Sequence, residues 1–365
     1  FESCRSDTNY EQILKKSLDH PSGTFFLAMY KIIIRPILFL FDSEKVHNFT
    51  LSFVSKFTFL HPLFKILFGS NKTEPINING LVFKNRLGLA AGFDKNAVAL
   101  RFWNALGFSH AEVGTVTPLP QSGNDKPRLF RLKKDLGIIN RMGFNNKGAD
   151  EIRKNILDAR KHLPKNFIVG VNIGKNKNTP NEEAVNDYLT CFKKMYDVAD
   201  YFTINISSPN TKGLRELQEE ESLRELLTKI KNLNKSLSEF KDEKNIFVKI
   251  APDINDEQIR IIYNTVSDAG ITGIILTNTT ISRNNLKEKI KEDGGLSGKP
   301  LKKMADDVLQ KFHKLNTDNK LILIGAGGVF TKDDYDKKIS NGASLVQIYT
   351  GMIYEGPGIV RKLIN

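Results

Sequence analysis

Short apolar segments alternate with longer amphipathic segments over most of the chain, from about residue 76 onward. Eight of the apolar segments have the length of buried strands. They are Leu87–Ala90, Ala111–Val116, Ile168–Ile173, Tyr201–Ile206, Ile246–Ile250, Gly273–Thr277, Leu321–Gly325 and Ser344–Tyr349. Helical patterns separate them, most clearly Glu182–Ala199, Leu223–Phe240, Asp256–Ala269 and Leu301–Leu315. Eight strands, each followed by a helix, predict an α/β protein with a (β/α)₈ TIM barrel.

A doubly wound open sheet is the alternative α/β fold. In that fold a glycine fingerprint for a dinucleotide follows the first strand. Residues 90–95 of this chain, Ala-Ala-Gly-Phe-Asp-Lys, do not have that pattern. The barrel is therefore the favoured fold.

The region before the barrel predicts amphipathic helices. Residues 25–41 are strongly apolar, but Lys31, Arg35 and Pro36 interrupt them, so the segment falls short of the ~20 apolar residues that a spanning helix needs. Asp42 can cap a second helix, in which Val46, Phe49, Phe53 and Phe57 recur at helical spacing. So much aromatic surface indicates a partner, a membrane interface or an apolar ligand. The alternative is that these helices simply pack on the main domain.

We divide the chain into three parts. Residues 1–28 match no pattern and stay unassigned, and Met29 could be an internal start. Residues 29–70 form the N-terminal amphipathic helical region, and residues 71–365 form the barrel. At the start of the barrel part, residues 76–83 read as a hairpin, because Asn79-Gly80 is a favoured two-residue turn.

Composition excludes some function classes. The 54 Lys and Arg residues exceed the 41 Asp and Glu residues, which gives a net charge of +13. The lysines are scattered beside glutamates on helical stretches, so we expect solvated helix faces and no nucleic-acid partner. Two cysteines, Cys4 and Cys191, cannot supply a disulfide framework or an iron–sulfur ligand set, and we expect a reducing compartment. No motif predicts a metal site.

Polar residues follow several of the predicted strands, where a barrel gathers its strand exits on one face. The most polar exit is Asn205-Ile206-Ser207-Ser208-Pro209-Asn210-Thr211, which could also be a simple capped turn. The others supply Gly92 with Lys95, Thr115, Asn172, Lys249, and Thr277 to Thr280. A lysine inside an apolar strand, such as Lys249, costs free energy unless it meets an anion or an acceptor. An edge-strand lysine that reaches water is the alternative for Lys249.

The last two strand exits are rich in glycine. Gly325 to Gly328 lead into one helix, and the strand ending at Tyr349 leads into another. Loops seven and eight with a helix N-terminus form the usual phosphate site of TIM barrels. Residues 294–298, Gly-Gly-Leu-Ser-Gly, lie in loop six and could add donors. Together these loops predict a flat, phosphorylated cofactor.

Five runs of residues resemble a known family. They are Ala90–Lys95, Gly123–Arg128, Ile139–Asn145, Asn205–Arg215 and Gly294–Pro300. The chain is similar, from about Met29 to its C-terminus, to the membrane-associated, quinone-using dihydroorotate dehydrogenases (class 2). The N-terminal region is the part least like the family.

The resemblance implies an FMN on the C-terminal face of the barrel, which makes residues 71–365 an FMN-binding domain. The residues implied around it are Ala90, Ala91, Gly92, Thr115, Asn140, Asn172, Asn205, Lys249, Thr277, Ser297, Gly298, Gly327, Gly328, Tyr349 and Thr350. Among these, Gly298, Gly327, Gly328, Tyr349 and Thr350 would hold the phosphate.

The resemblance also implies that the substrate is dihydroorotate and the product orotate, in de novo pyrimidine synthesis. The implied substrate residues are Lys95, Asn140, Phe144, Asn205, Asn210, Asn278 and Thr279. Ser208 would be the base that removes the C5 proton while hydride leaves C6 for flavin N5. Serine is a poor base unaided, so we expect Thr211 to relay the proton and Phe144 to close the pocket against water.

By the same resemblance, the N-terminal helices form a membrane-lying lid through which a quinone, ubiquinone or menaquinone, reaches the flavin. His47, Phe53, Arg131 and Tyr349 would form the quinone site. From the sequence alone, a surface histidine near a helix start is the preferred explanation of His47, and Arg131 would pass as an exposed loop arginine. We expect a monomer that contacts the membrane peripherally, at the inner face of a bacterial cytoplasmic membrane or at the mitochondrial inner membrane.

Two other functions stay open at this point. A soluble FMN dehydrogenase could use fumarate or NAD as its electron acceptor and would not need the apolar helices. A peripheral membrane protein could use a barrel as a non-catalytic scaffold, although Lys95, Ser208 and Lys249 at strand exits argue against it.

Overall fold

The computed structural model of the chain describes residues 28–211, 213–238, 242–284 and 286–365. Its strands, in chain order, are β1 (Ile76–Ile78), β2 (Leu81–Phe83), β3 (Leu87–Leu89), β4 (His110–Val116), β5 (Leu129–Leu132), β6 (Gly137–Asn140), β7 (Ile168–Ile173), β8 (Tyr201–Asn205), β9 (Asn245–Lys249), β10 (Gly273–Leu276), β11 (Gly295–Gly298), β12 (Ile322–Ala326) and β13 (Leu345–Ile348). Eight of them, β3, β4, β7, β8, β9, β10, β12 and β13, pair in parallel in that order. The barrel closes where β13 pairs with β3.

The predicted TIM barrel is therefore confirmed. Each of the eight predicted strands is present, and its ends agree with the prediction to within one residue. The strand interiors are apolar on both faces because the barrel fills its inside with side chains and packs helices outside. Every residue of β7 and of β9 is buried.

Helices surround the barrel. They are α1 (Arg35–Leu38), α2 (Ser43–Lys56), α3 (His61–Phe68), α4 (Leu100–Leu106), α5 (Gly148–Arg160), α6 (Ala184–Met195), α7 (Glu220–Ser238), α8 (Asp256–Asp268), α9 (Lys302–Leu315), α10 (Lys332–Ser340), α11 (Thr350–Glu355) and α12 (Ile359–Ile364). Capping boxes at Asn255 and Thr331 fix the starts of α8 and α10. The prediction made α6 too long at both ends, and its end for α7, Phe240, lies outside the described residues.

The hairpin of β1 and β2 closes the amino-terminal end of the barrel. Its turn is Asn79-Gly80, as predicted, with Asn79 and Gly80 both at positive φ. Ile78 and Phe83 share one apolar cluster with Tyr201 at the start of β8 and Phe247 in the middle of β9. The opposite, carboxyl-terminal end is left for the functional site.

A small antiparallel sheet of β5, β6 and β11 lies over the loops at the carboxyl-terminal end. No strand was predicted between residues 117 and 146, and residues 294–298 were placed in a loop; β5, β6 and β11 were therefore missed. These strands have only four residues each, and β11 pairs with β6 across a large sequence separation, so local pattern did not reveal the sheet. The register pairs Asn140 with Gly295, which brings the sheet to the edge of the site.

The N-terminal region consists of a π-helical turn (Tyr30–Ile34), α1, α2 and α3. Asp42 caps α2 as predicted, since its Oδ1 accepts from Lys45 N at 2.8 Å. Among the described residues no single helix has the length and apolarity to cross a membrane; α2 and residues 58–68 meet that test only together, across a bend of 81°.

This region has two different faces. Large apolar side chains stay exposed on the outer face, with Leu40 80%, Phe59 73% and Ile66 72% accessible. Val54 and Phe68, on the inner face, join the main hydrophobic core. The alternative that both helices simply pack on the barrel therefore explains only the inner face.

Candidate active site

A polar pocket lies at the carboxyl-terminal end of the barrel, and most of the predicted site residues line it. These are Ala90, Ala91, Gly92, Lys95, Thr115, Asn140, Phe144, Asn205, Ser208, Asn210, Lys249, Thr277, Asn278, Thr279, Ser297, Gly298, Gly327, Gly328, Tyr349 and Thr350. They come from strands and loops spread over more than two thirds of the sequence. Closure of the barrel is what brings them together.

Two predicted residues lie behind the lining. Asn172 is fully buried, and its Oδ1 accepts from Thr115 Oγ1 at 2.6 Å and from Asn205 Nδ2 at 3.1 Å. It therefore orients two residues that do line the pocket. Thr211 is also buried and does not belong to the lining.

Glu112, which the sequence analysis missed, is the buried centre of the polar network below the pocket. Its carboxylate accepts from Asn172 Nδ2 (2.9 Å), Thr203 Oγ1 (3.0 Å), Tyr201 Oη (3.2 Å) and Gln347 Nε2 (2.9 Å). The signal was present in the sequence: an acidic residue inside the apolar run of β4 needs partners as much as Lys249 does.

Lys249 has its counter-charge in the same network, with Nζ 3.9 Å from Glu112 Oε1. Burial lowers the pKa of Lys249, and Glu112 opposes that shift. The alternative that Lys249 reaches water from an edge strand is wrong, because β9 is an interior strand of a closed barrel and Lys249 is 5% exposed. Its ammonium group is available to an acceptor in the pocket.

Lys95 supplies a second cation to the lining, on the loop after β3. Burial lowers its pKa to about 8, with a smaller lowering by Arg128, and Glu44 acts in the opposite direction. The described residues that line the pocket include two lysines and no carboxylate, which suits an anionic ligand. Such a ligand would stabilise the protonated form of Lys95.

The loop after β8 carries Ser208 and is held by amide side chains. Ser208 Oγ accepts from Asn210 N at 3.2 Å, and Asn210 Nδ2 donates to Asn140 Oδ1 at 3.2 Å. On the other side, Asn278 Nδ2 donates to Ser207 Oγ at 2.9 Å. The serine is thus surrounded by amide groups that present both donors and acceptors to a ligand.

The far end of the pocket is formed by glycine-rich loops. Gly298, Gly327 and Gly328 have φ values of +92°, +95° and +77°, which a residue with a Cβ rarely adopts. α11 begins here with Thr350, whose Oγ1 lies 2.8 Å from Ser297 Oγ. Backbone N–H groups at a helix start, two hydroxyls and close backbone approach together fit a phosphate group.

A second, apolar cavity of about 420 Å³ lies between the N-terminal helices and the barrel. His47, Phe53 and Arg131 line it, while Tyr349 lines the polar pocket instead. Phe93 lies between the cavity and the pocket. The centroid of its ring is 5.2 Å from that of the His47 ring and 5.1 Å from that of the Tyr349 ring. Phe93 belongs to the run 90–95, but the sequence analysis gave it no role.

The polar residues of the apolar cavity differ in charge. Burial, with help from the Lys95 charge, lowers the pKa of His47 to about 3, so the imidazole is neutral at physiological pH. Arg131 stays cationic although burial lowers its pKa. Its guanidinium donates to Leu38 O at 3.1 Å and lies 4.5 Å from the Phe39 ring. Both side chains are partly buried and line the cavity, so neither is the exposed residue that the sequence alone suggested.

Two further observations concern ions and thiols. Among the described residues, no group of three or more His, Cys, Asp or Glu side chains could hold a metal ion. Cys191 is buried and unbridged, and burial raises its pKa, which leaves an unreactive thiol. Cys4 lies outside the described residues.

Comparison with known proteins gives the same family as the resemblance. The family model described as "Dihydroorotate dehydrogenase" matches residues 75–365. Proteins named "Dihydroorotate dehydrogenase (quinone)" from Christiangramia forsetii and Idiomarina loihiensis are 48% and 45% identical to this chain. Each alignment covers 92% of this chain and 97% or 99% of the relative.

A solved structure agrees. The crystal structure of DHODH from Eimeria tenella in complex with ferulenol is 39% identical, covers 88% of this chain and 89% of that one, and superposes with a TM-score of 0.80. At this identity and coverage the shared fold also means shared ancestry. The chain belongs to the dihydroorotate dehydrogenase family, and within it to the quinone-dependent class 2 that the sequence resemblance predicted.

Proposed function

We propose that this protein oxidises (S)-dihydroorotate to orotate in pyrimidine biosynthesis, with FMN as hydride acceptor and a quinone as the final electron acceptor. One observation carries the proposal: a polar pocket with Lys95, Ser208 and a phosphate-type glycine cradle lies one aromatic ring, Phe93, away from an apolar cavity. Chemistry on a polar pyrimidine and electron transfer to an apolar quinone require two such neighbouring sites.

The residues of the pocket fit FMN. Gly298, Gly327, Gly328 and Thr350 would hold the phosphate, and Ser297 lies within hydrogen-bond reach of Thr350. The small residues Ala90, Ala91 and Gly92 leave a flat wall; a Cβ built on Gly92 would meet only the Tyr349 ring, at 3.5 Å. Thr115, Asn172, Asn205, Lys249 and Thr277 offer hydrogen-bonding groups for the ring system and the ribityl chain. When bound, FMN accepts a hydride from the substrate and passes two electrons to the quinone.

Dihydroorotate would bind through the lysine, amide and hydroxyl side chains that line the pocket together with Ser208. Lys95 is the partner for the substrate carboxylate, since a charge-assisted bond to an ammonium is stronger than a neutral one. Asn140, Asn205, Asn210, Asn278 and Thr279 match a ring that carries both N–H and C=O groups.

Ser208 is the base of the proposed mechanism, and its Oγ takes the C5 proton of the substrate. A hydroxyl must pass its proton on, and we retain Thr211 as the candidate next acceptor, although it is buried behind the lining. Phe144, which lines the pocket, would keep water out while the substrate is bound.

The apolar cavity is the proposed quinone site. His47 and Arg131 would give its polar end, and Phe53 part of its apolar wall. Tyr349, with a pKa that burial raises to about 12, stays a neutral phenol on the other side of Phe93. A ring with two carbonyl oxygens and an apolar tail suits this mixture.

The exposed outer face of residues 29–70 would lie on a membrane, where a quinone is found. Leu40, Phe49, Phe59 and Ile66 are the most exposed apolar side chains there. In this proposal residues 71–365 form the FMN-binding barrel, and the protein is a peripheral monomer at a bacterial cytoplasmic or mitochondrial inner membrane.

The test is an anaerobic spectral titration of the purified protein. Dihydroorotate should bleach the flavin band, and a short-chain ubiquinone or menaquinone should restore it, whereas fumarate and NAD should not. A preparation that binds no flavin would contradict the proposal. Reoxidation by fumarate or NAD, with no response to a quinone, would favour the soluble type of dehydrogenase.

A further inference from the structure

A buried ion pair joins the helix that covers the apolar cavity to the loops of the polar pocket. Glu44 lies in the first turn of α2, and Arg128 precedes β5; each is 6% exposed. Arg128 donates from Nε to Glu44 Oε2 at 3.0 Å and from Nη2 to Glu44 Oε1 at 2.7 Å. Arg128 lowers the pKa of Glu44, so the pair is ionised at neutral pH.

The remaining nitrogen of Arg128 organises the loop before β5. Nη1 donates to Ser122 O and to Asn124 O, both at 2.6 Å. Four hydrogen bonds therefore hold one guanidinium, two on α2 and two on the loop. The loop is tightly packed there, because a Cβ on Gly123 would lie 2.9 Å from Arg128 Nη1 and 2.2 Å from Met142 O.

Asn124 carries the connection onward to the loop of Ser208. Its Nδ2 donates to Arg141 O at 3.0 Å and to Asn210 O at 3.2 Å. Asn210 in turn donates from its backbone N–H to Ser208 Oγ. A continuous chain of polar contacts thus runs from α2, through Arg128 and Asn124, to the side chain of the proposed base.

We propose that Glu44 and Arg128 are positioning residues that set the geometry of the Ser208 loop from the helix covering the quinone cavity. This inference rests on the proposed function. The first turn of α2 also leads directly to His47, which lines the apolar cavity. Packing of the N-terminal region on the barrel and ordering of the loop that carries Ser208 are then linked through one guanidinium.

The first experiment separates this role from simple attachment of the N-terminal region to the barrel. In a Glu44→Gln variant we expect flavin reduction by dihydroorotate, measured in a single turnover without quinone, to slow by about threefold to thirtyfold. Deuterium exchange of the peptide covering residues 205–211 should become faster. If the Glu44–Arg128 pair only attached the N-terminal region to the barrel, its loss would change the quinone step. Flavin reduction and deuterium exchange would then both stay at the parental values.

Two further variants provide the control and a second route. Lys31→Gln breaks another ion pair between the N-terminal region and the barrel, Lys31 Nζ to Glu355 Oε2 at 2.6 Å, and Glu355 keeps its bond to Lys362. Exchange in residues 205–211 should be unchanged in it. Asn124→Ala removes the contact with the Ser208 loop, at the other end of this series of polar contacts, and leaves both charges of the ion pair in place. It therefore tests the proposal even if the Glu44→Gln variant does not fold well enough to be purified.

The proposal requires Asn124→Ala to reproduce faster exchange in 205–211 and slower flavin reduction. The proposal would be overturned if either Glu44→Gln or Asn124→Ala kept the parental rate of deuterium exchange in residues 205–211 and the parental rate of flavin reduction. Failure of the proposed function is a different result, because then the parent protein itself would not reduce its flavin with dihydroorotate.

Discussion

The polar pocket and the apolar cavity are neighbours, but they are built in different ways. In the polar pocket the asparagine side chains are fixed by hydrogen bonds to other side chains, as with Asn205 between Thr115 and Asn172. In the apolar cavity, aromatic and aliphatic side chains set the shape, and the few polar groups bond to backbone, as Arg131 does to Leu38 O. Phe93 separates the two.

The two sites therefore differ in how strongly they discriminate between ligands. Fixed donors and acceptors reject a ligand that leaves one of them unpaired, at a cost of about 1–3 kcal/mol for each group. An apolar wall discriminates less, since one buried methylene is worth only about 0.8 kcal/mol and neighbouring side chains can often repack around its loss. Substitutions on the polar side should therefore have larger and more specific effects than substitutions on the apolar side.

The largest effect is expected at Ser208. Removing its hydroxyl in Ser208→Ala should slow flavin reduction by dihydroorotate by about 10²- to 10⁴-fold, the usual contribution of a general base. FMN content should not change, because the hydroxyl faces the substrate side. The measurement is single-turnover absorbance at the flavin band.

Ser207→Ala is the matched control for that prediction. Ser207 Oγ bonds to Asn205 and to Asn278, so its loss should weaken substrate binding without removing the base. Equal loss of rate in the two variants would show that the hydroxyl of Ser208 has no special part in the chemistry.

The next effect is expected at Lys95. Its pKa of about 8 means that the ammonium form is lost above that pH, so the KM for dihydroorotate should rise as the pH increases beyond 8. Lys95→Met should raise this KM at pH 7 by about 10- to 150-fold, as for loss of a hydrogen bond to a charged group. Lys95→Arg keeps its charge, and its KM should stay flat to higher pH. A parental KM that is independent of pH between 7 and 10 would contradict the assignment.

The smallest effect is expected at His47, on the apolar side. His47→Gln should raise the KM for a quinone by about twofold to tenfold, the range for one neutral hydrogen bond, and should not alter the KM for dihydroorotate. Because the pKa of His47 is about 3, the quinone KM of the parent should not vary between pH 6 and 8 through this residue. Steady-state kinetics with a soluble quinone analogue would measure both.

Much of the fold could be predicted from the sequence because barrel strands are buried on both faces and read as short apolar runs. The ends of β7 were predicted to the residue. The sheet of β5, β6 and β11 could not be predicted, because its stability comes from pairing residues such as Ile139 with Leu296, far apart in the chain. Local propensity carries no information about such partners.

The site could be predicted where a residue was out of place in its local pattern. Lys249 in an apolar strand and the polar run 205–211 gave that signal. Glu112 gave the same signal and was missed, while Phe93 and Arg128 gave none, since a buried phenylalanine and a loop arginine are ordinary in sequence. Their roles depend on what folding brings beside them, which is a ring on each side for Phe93 and a carboxylate on α2 for Arg128.

If two separate sites serve one flavin, the two half-reactions must respond to different substitutions. Flavin reduction by dihydroorotate and reoxidation of chemically reduced flavin by a quinone would each be timed in Ser208→Ala and in His47→Gln. We expect Ser208→Ala to lose only reduction and His47→Gln to slow only reoxidation. Loss of both half-reactions in Ser208→Ala, with FMN still bound, would contradict it.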